Sequence, residues 1–182
     1  VTQNRTIYRD TVRPEWVDYN GHLRDAFYML IFSLSTDAFM DRIGLDDAVR
    51  TSRGRSLFTL EAHINYLHEI KEGTAVRVEA SVLAFDAKRV HLYMEMFADE
   101  RAEPIAASEQ MLLHVDTTNG AKSVAFDTDI AGRIEAMFLE VAKQAPKEAP
   151  KEARYAGRVI GLPSGPRAST AASAASAATK PA

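Results

Sequence analysis

Between residues 23 and 43 the chain places Leu23, Phe27, Leu30, Ile31, Leu34, Ala38, Phe39 and Ile43 at helical spacing, and Gly44 stands where such a helix would stop. The apolar face is too broad for a helix on an open surface, so the rest of the chain must enclose it. Residues 6–12 read as a leading strand, closed by Arg13-Pro14, and residues 56–67, 74–85, 89–98 and 105–116 read as four more. Val76, Val78, Ala80 and Val82 alternate on one of these, and Val90, Leu92, Met94 and Met96 on the next, with Asp86-Ala87-Lys88 as the hairpin turn between them. Residues 130–141 read as a closing helix, and 50–55 as an arginine-rich loop. One long buried helix with five antiparallel strands predicts an α+β fold whose sheet wraps around the helix.

The chain has 182 residues, enough for one domain with a sizeable core, which we assign to residues 1–142. Residues 143–163 read as a linker and C-terminal extension. Residues 164–182, rich in Ala and Ser with no large apolar side chain, read as a disordered tail. There is no cysteine, so disulfides, thiolate nucleophiles and thiolate metal ligands are excluded. His63 and His68 would point to opposite faces of an extended segment, and no metal site is expected. The opening residues lack the apolar run of a signal peptide and nothing approaches a membrane span, so a cytoplasmic protein without a membrane partner is expected. The net charge of −3 argues against nucleic acid as a partner.

The residues richest in chemistry precede the helix: Trp16-Val17-Asp18-Tyr19-Asn20-Gly21-His22-Leu23-Arg24-Asp25-Ala26-Phe27-Tyr28. An Asn-Gly turn sets one carboxylate, Asp18, just before a helix N-terminus with its unpaired N–H groups. Such a site can stabilise an oxyanion. An aspartate there is equally a good capping residue.

Asp18, Gly21, His22 and Tyr28 resemble the Asp-x-x-Gly-His-x-x-Asn-x-x-Tyr start of the central helix in hotdog-fold thioesterases of the 4-hydroxybenzoyl-CoA type, with Asp25 in place of the usual Asn. A second shared feature runs from Ile64 through Tyr66 to Gly73. Residues 15–23, 58–63, 107–116 and 157–160 further resemble a bacterial subgroup that hydrolyses betainyl-CoA in carnitine breakdown. That subgroup includes fusions to a dehydrogenase, but no dinucleotide fingerprint occurs in this sequence.

The resemblance implies an acyl-CoA thioesterase with no cofactor beyond the coenzyme A of its substrate, assembled as a homodimer or tetramer. Asp18 would attack the thioester or activate water, and N–H groups from Leu23 to Asp25, above all that of Asp25, would receive the oxyanion. Asn20, Gly21 and His22 would shape the catalytic turn. For a trimethylammonium group the nearby aromatics are Trp16, Tyr19, Phe27, Tyr28, Phe58 and Tyr66, with Trp16 and Tyr19 preferred by their place in the loop. Glu61 would approach from the second strand. Arg50, Arg53, Arg55, Lys88 and Arg89 would meet the phosphates of coenzyme A. A thioesterase for fatty or aromatic acyl groups, and a non-catalytic acyl-CoA binder, remain as alternatives.

Overall fold

A computed structural model describes residues 5–98, 101–144, 153 and 155–157. Strands β1 (Thr6–Thr11), β2 (Arg55–Tyr66), β3 (Ala75–Phe85), β4 (Arg89–Ala98) and β5 (Ala106–Asp116) form one antiparallel sheet, and the two-residue β6 (Lys122–Ser123) pairs with β5. Helices α1 (Asp25–Arg42), α2 (Asp47–Arg53) and α3 (Thr128–Gln144) complete the α+β fold expected from the sequence. The alternating Val and Met positions of β3 and β4 are buried, and they share one core cluster with Ile31, Phe32, Phe39 and Met40 of α1 and with Ile130 and Ile134 of α3.

The sheet order is β1-β3-β4-β5-β2, so β2 does not join a simple four-strand meander but pairs with β5 at the far edge. The helix makes this possible. Its 18 residues span about 27 Å, while four strand spacings cover only about 19 Å, so α1 can carry the chain from one edge of the sheet to the other. At the free edge β2 exposes Phe58 and Leu60.

Three local expectations are corrected. The buried stripe of α1 is Tyr28, Ile31, Phe32, Ser35, Thr36, Phe39 and Met40, whereas Leu30 is 37% exposed and Leu34 only partly covered. Hydroxyls can occupy the buried stripe because each finds an acceptor. Ser35 Oγ donates to Ile31 O at 2.7 Å, and Thr36 Oγ1 reaches Phe32 O and Gln110 Oε1 at 3.0 Å each. Residues 50–55 are not a loop: α2 starts with Asp46 accepting Val49 N–H at 2.9 Å and ends at Gly54, whose φ of 62° is left-handed. Leu23 lies before α1 rather than in it.

At the hairpin, Asp86 Oδ1 accepts the N–H groups of Lys88 and Arg89 at 2.9 and 2.7 Å. Its Oδ2 grips the Arg89 guanidinium, and this ion pair with the turn bonds holds the Asp86 carboxyl down at about 2. Most of the expected linker and the whole of the expected tail lie outside the described residues. Gly157 N–H donates to Glu109 Oε2 at 2.7 Å, which brings the chain beyond α3 back to β5. Among the described residues no helix is long and apolar enough to cross a membrane.

Phe32 is fully buried between α1 and the sheet. Phe32→Ala is expected to lower stability by about 3–5 kcal/mol in urea unfolding, and a loss below about 1 kcal/mol would contradict this packing.

Candidate active site

The segment before α1 is a small hairpin. Val17 and Leu23 pair across it, Asp18 N–H donates to His22 O at 2.8 Å, and Gly21 N–H closes the turn on Asp18 O at 3.0 Å. Gly21 takes φ 77°, a conformation that costs other residues energy. The hairpin is pinned from two sides. Leu23 N–H donates to Ile70 O at 2.9 Å, and Arg24 N–H to Trp16 O at 3.0 Å.

Within this turn the two oxygens of Asp18 have different surroundings. Oδ1 accepts the N–H of Asn20 at 2.8 Å and of His22 at 3.0 Å, while Oδ2 has no hydrogen-bond partner among the described residues. The His22 N–H bond is the main reason that the Asp18 carboxyl sits below its ordinary value; the Asn20 N–H and the nearby His22 and Arg24 charges act the same way, against a partial desolvation that raises it.

The first turn of α1 is also nearly used up. Leu23 and Arg24 spend their N–H groups on Ile70 and Trp16, Ala26 N–H donates to Asp25 Oδ1 at 2.8 Å, and Phe27 N–H to Arg24 O at 3.0 Å. The N–H of Asp25 alone lacks a partner among these. This narrows the sequence expectation, in which Leu23 and Arg24 also counted as donors, because the hairpin consumes theirs.

Beside this helix end lies a recess of about 340 Å³ lined by Leu23, Asp25, Tyr28, Tyr66, Leu67, His68 and Glu69. Of the sequence candidates, Asp25, Tyr28 and Tyr66 meet there, while Asp18, Asn20, Gly21 and His22 are not in its wall. His22 borders it through Glu69, whose Oε2 is 3.7 Å from Nε2. Tyr28 is buried and donates its hydroxyl to His68 O at 3.1 Å; the ring of Tyr66 meets it edge-on at 5.4 Å. Burial, then the charge of Glu69, pushes the Tyr28 hydroxyl up to about 12. Burial and then Asp25 raise that of Tyr66. Leu67, His68 and Glu69 went unrecognised as lining residues, since only the fold brings the end of β2 against α1.

Other candidates lie elsewhere. Trp16 is only 4% exposed, stacked on Phe27 at 5.6 Å, with the Arg13 guanidinium 4.5 Å from its ring, so it packs the core and cannot wrap a ligand. Tyr19 is 94% exposed at the turn tip and stands apart from the recess. Glu61 is exposed on the edge strand, facing Met111 in register. The cationic candidates are already engaged. Arg53 pairs with Asp127 and Asp129, Arg55 with Asp116, Arg50 with Asp41, and Arg89 with Asp86. Lys88 Nζ donates to Ser123 Oγ at 3.4 Å.

Comparison with known proteins places the chain in a family. A model of the thioesterase-like superfamily matches residues 12–155. The betainyl-CoA thioesterase of Pseudomonas aeruginosa is 50% identical over 137 residues, covering 75% of this chain and 86% of that protein. The L-carnitine dehydrogenase/betainyl-CoA thioesterase of Agrobacterium fabrum is 43% identical over 111 residues, 61% of this chain but 22% of that longer protein. Among solved structures, a hypothetical protein of Staphylococcus aureus in complex with CoA superposes with a TM-score of 0.74 at 27% identity, covering 87% of this chain and 96% of that one.

Two outcomes test the turn. The depressed Asp18 carboxyl stabilises the folded turn at pH values above the unfolded aspartate range, and that contribution fades as pH falls through the lower folded value. Its carboxyl carbon, followed by NMR, should therefore titrate below 3.8; a midpoint at or above 3.8 would contradict the bonds to Oδ1. A Cβ added at Gly21 meets nothing within 4 Å, so only backbone strain opposes it. Gly21→Ala should cost about 1–2 kcal/mol in chemical unfolding, and Gly21→Asn measurably less.

Proposed function

The chain belongs to the thioesterase-like superfamily and is a thioester hydrolase, and from that premise we propose that it hydrolyses betainyl-CoA to betaine and coenzyme A, with Asp18 and the N–H of Asp25 as the reacting groups. The observation that carries the site is the division of Asp18, with Oδ1 committed to the turn and Oδ2 unpartnered among the described residues, near a helix start where the N–H of Asp25 is likewise unspent among them. The substrate comes from the 50% identity to a betainyl-CoA thioesterase. The recess supports it, because its wall combines tyrosines and carboxylates and suits a small polar acyl group better than a fatty chain.

In this reading the thioester carbonyl points its oxygen at Asp25 N–H. As general base, Asp18 Oδ2 takes a proton from water, whose oxygen adds to the carbonyl carbon. As nucleophile, Oδ2 adds to that carbon itself, and water later cleaves the resulting anhydride. Either way the tetrahedral oxyanion collapses with loss of the coenzyme A thiolate. One well-placed donor to that oxyanion is worth about 3–4 kcal/mol. His22 holds the turn through its main chain, and the scheme needs no cofactor.

The free edge of β2, with exposed Phe58 and Leu60, supports pairing with a second copy, since an exposed apolar edge invites another strand. A CoA thioester substrate supports a cytoplasmic location.

Release of free thiol from betainyl-CoA is the direct test, and a chain without cysteine contributes no background. Asp18→Asn should lower kcat/KM by about 10²- to 10⁴-fold with its circular dichroism unchanged; near-normal turnover would remove Asp18 from the chemistry. In single turnover in H2¹⁸O, label found in Asp18 identifies the nucleophile route with water adding to the aspartyl carbonyl, since the general-base route places the label in betaine alone. Sedimentation equilibrium should give a dimer or a multiple of it, and a monomer at micromolar concentration would refute the β2 pairing.

A further inference from the structure

We infer that the recess at the start of α1 selects acyl groups bearing a quaternary ammonium, with Tyr66 as the aromatic contact and Asp25 and Glu69 as the countercharges. The inference deepens the thioesterase reading and rests on it. A trimethylammonium group offers no hydrogen-bond donor, so a protein can recognise it only through aromatic rings and the longer-range field of carboxylates. The recess provides both, and among the described residues its wall holds no lysine or arginine.

Tyr66 is suited to the contact because it is exposed yet fixed. More than half of its surface is open, at 53%, while its ring rests against Tyr28 at an interplanar angle of 84° and its hydroxyl lies 3.5 Å from Asp25 O. Tyr28 is itself held by burial and by the bond to His68 O. A ring already ordered loses little freedom when a ligand arrives.

The carboxylates are similarly prepared. Asp25 Oδ1 is anchored by Ala26 N–H, which leaves Oδ2 without a hydrogen-bond partner among the described residues, and Glu69 Oε2 lies 3.7 Å from His22 Nε2. The nearest guanidinium in sequence, that of Arg24, is turned toward Val17 O at 3.0 Å. Asp25 also sits on the first residue of α1, where its charge offsets the positive field of the helix end. Without that charge the helix end would repel the cation it faces. The carboxylate fields reach the recess, since Glu69 acts on the Tyr28 hydroxyl and Asp25 on that of Tyr66.

The test compares betainyl-CoA with 3,3-dimethylbutanoyl-CoA, which has the same shape with carbon in place of the charged nitrogen. Wild type should favour the cation in kcat/KM by at least about tenfold, the size of one partly desolvated cation–π contact with its countercharge. Tyr66→Leu, Asp25→Asn and Glu69→Gln should each lower the ratio of the two kcat/KM values by about three- to tenfold, and Tyr66→Phe should keep it. Equal use of the two substrates by wild type would overturn the proposal, as would variants that slow both substrates alike. Calorimetry on wild type with betaine and with 3,3-dimethylbutanoate reads the subsite without turnover. A protein that cleaves no thioester but binds betaine at least about tenfold more tightly would retain the subsite and lose the thioesterase reading. Equal affinity for the two would overturn the subsite itself.

Discussion

Burial of one stripe of α1 against the curled sheet is the constraint on which the rest of the molecule depends. Ile31, Phe32 and Phe39 are completely buried there, together with the inward valines and methionines of β3 and β4. Each large apolar side chain so buried contributes about 1.5–3 kcal/mol, against about 1 kcal/mol for an average hydrogen bond. Packing therefore fixes where the helix lies, and single hydrogen bonds adjust its ends. The polar bridge from Thr36 to Gln110 crosses the same interface and fixes which part of α1 meets β5.

With the helix held, its N-terminus has little freedom. Trp16 stacks on Phe27 of the first turn, Leu23 ties to Ile70, and Arg24 ties to Trp16, so the hairpin that carries Asp18 is bound to both the helix and the strand connection beyond β2. A helix begins with several N–H groups that no helical carbonyl can satisfy. Here the loop contacts and the carboxylate of Asp25 itself take those near the turn, all but the N–H of Asp25 among the described residues. The result is a specific donor rather than a diffuse positive helix end.

The same economy operates within Asp18. A carboxylate that accepts two main-chain N–H groups is held ionised across the neutral range and is a weaker base for it. One oxygen holds the turn, and the other has no hydrogen-bond partner of its own among the described residues. Asp25 shows the complementary division, with main-chain N–H and side-chain carboxylate facing different demands on one residue.

Local sequence determined the elements themselves. The 3.6-residue spacing after Leu23, the alternation of Val76 to Val82 and of Val90 to Met96, and the Asp86 turn are short-range patterns, so they could be read without the fold. The Asn20-Gly21 turn and Asp18 were legible for the same reason. What the sequence could not decide was who meets whom across distance. Trp16 looked free because it lies in a loop, yet Phe27 and Arg13 enclose it; the arginines at 53, 55 and 89 looked available, yet carboxylates far along the chain or across a turn claim them. The pairing of β2 with β5 and the meeting of Tyr66 with Tyr28 depend on α1 crossing the sheet, and neither residue's neighbours in sequence carry that information. Local conformation is written in residues a few positions apart, whereas burial and charge pairing are settled only when distant segments compete for the same space.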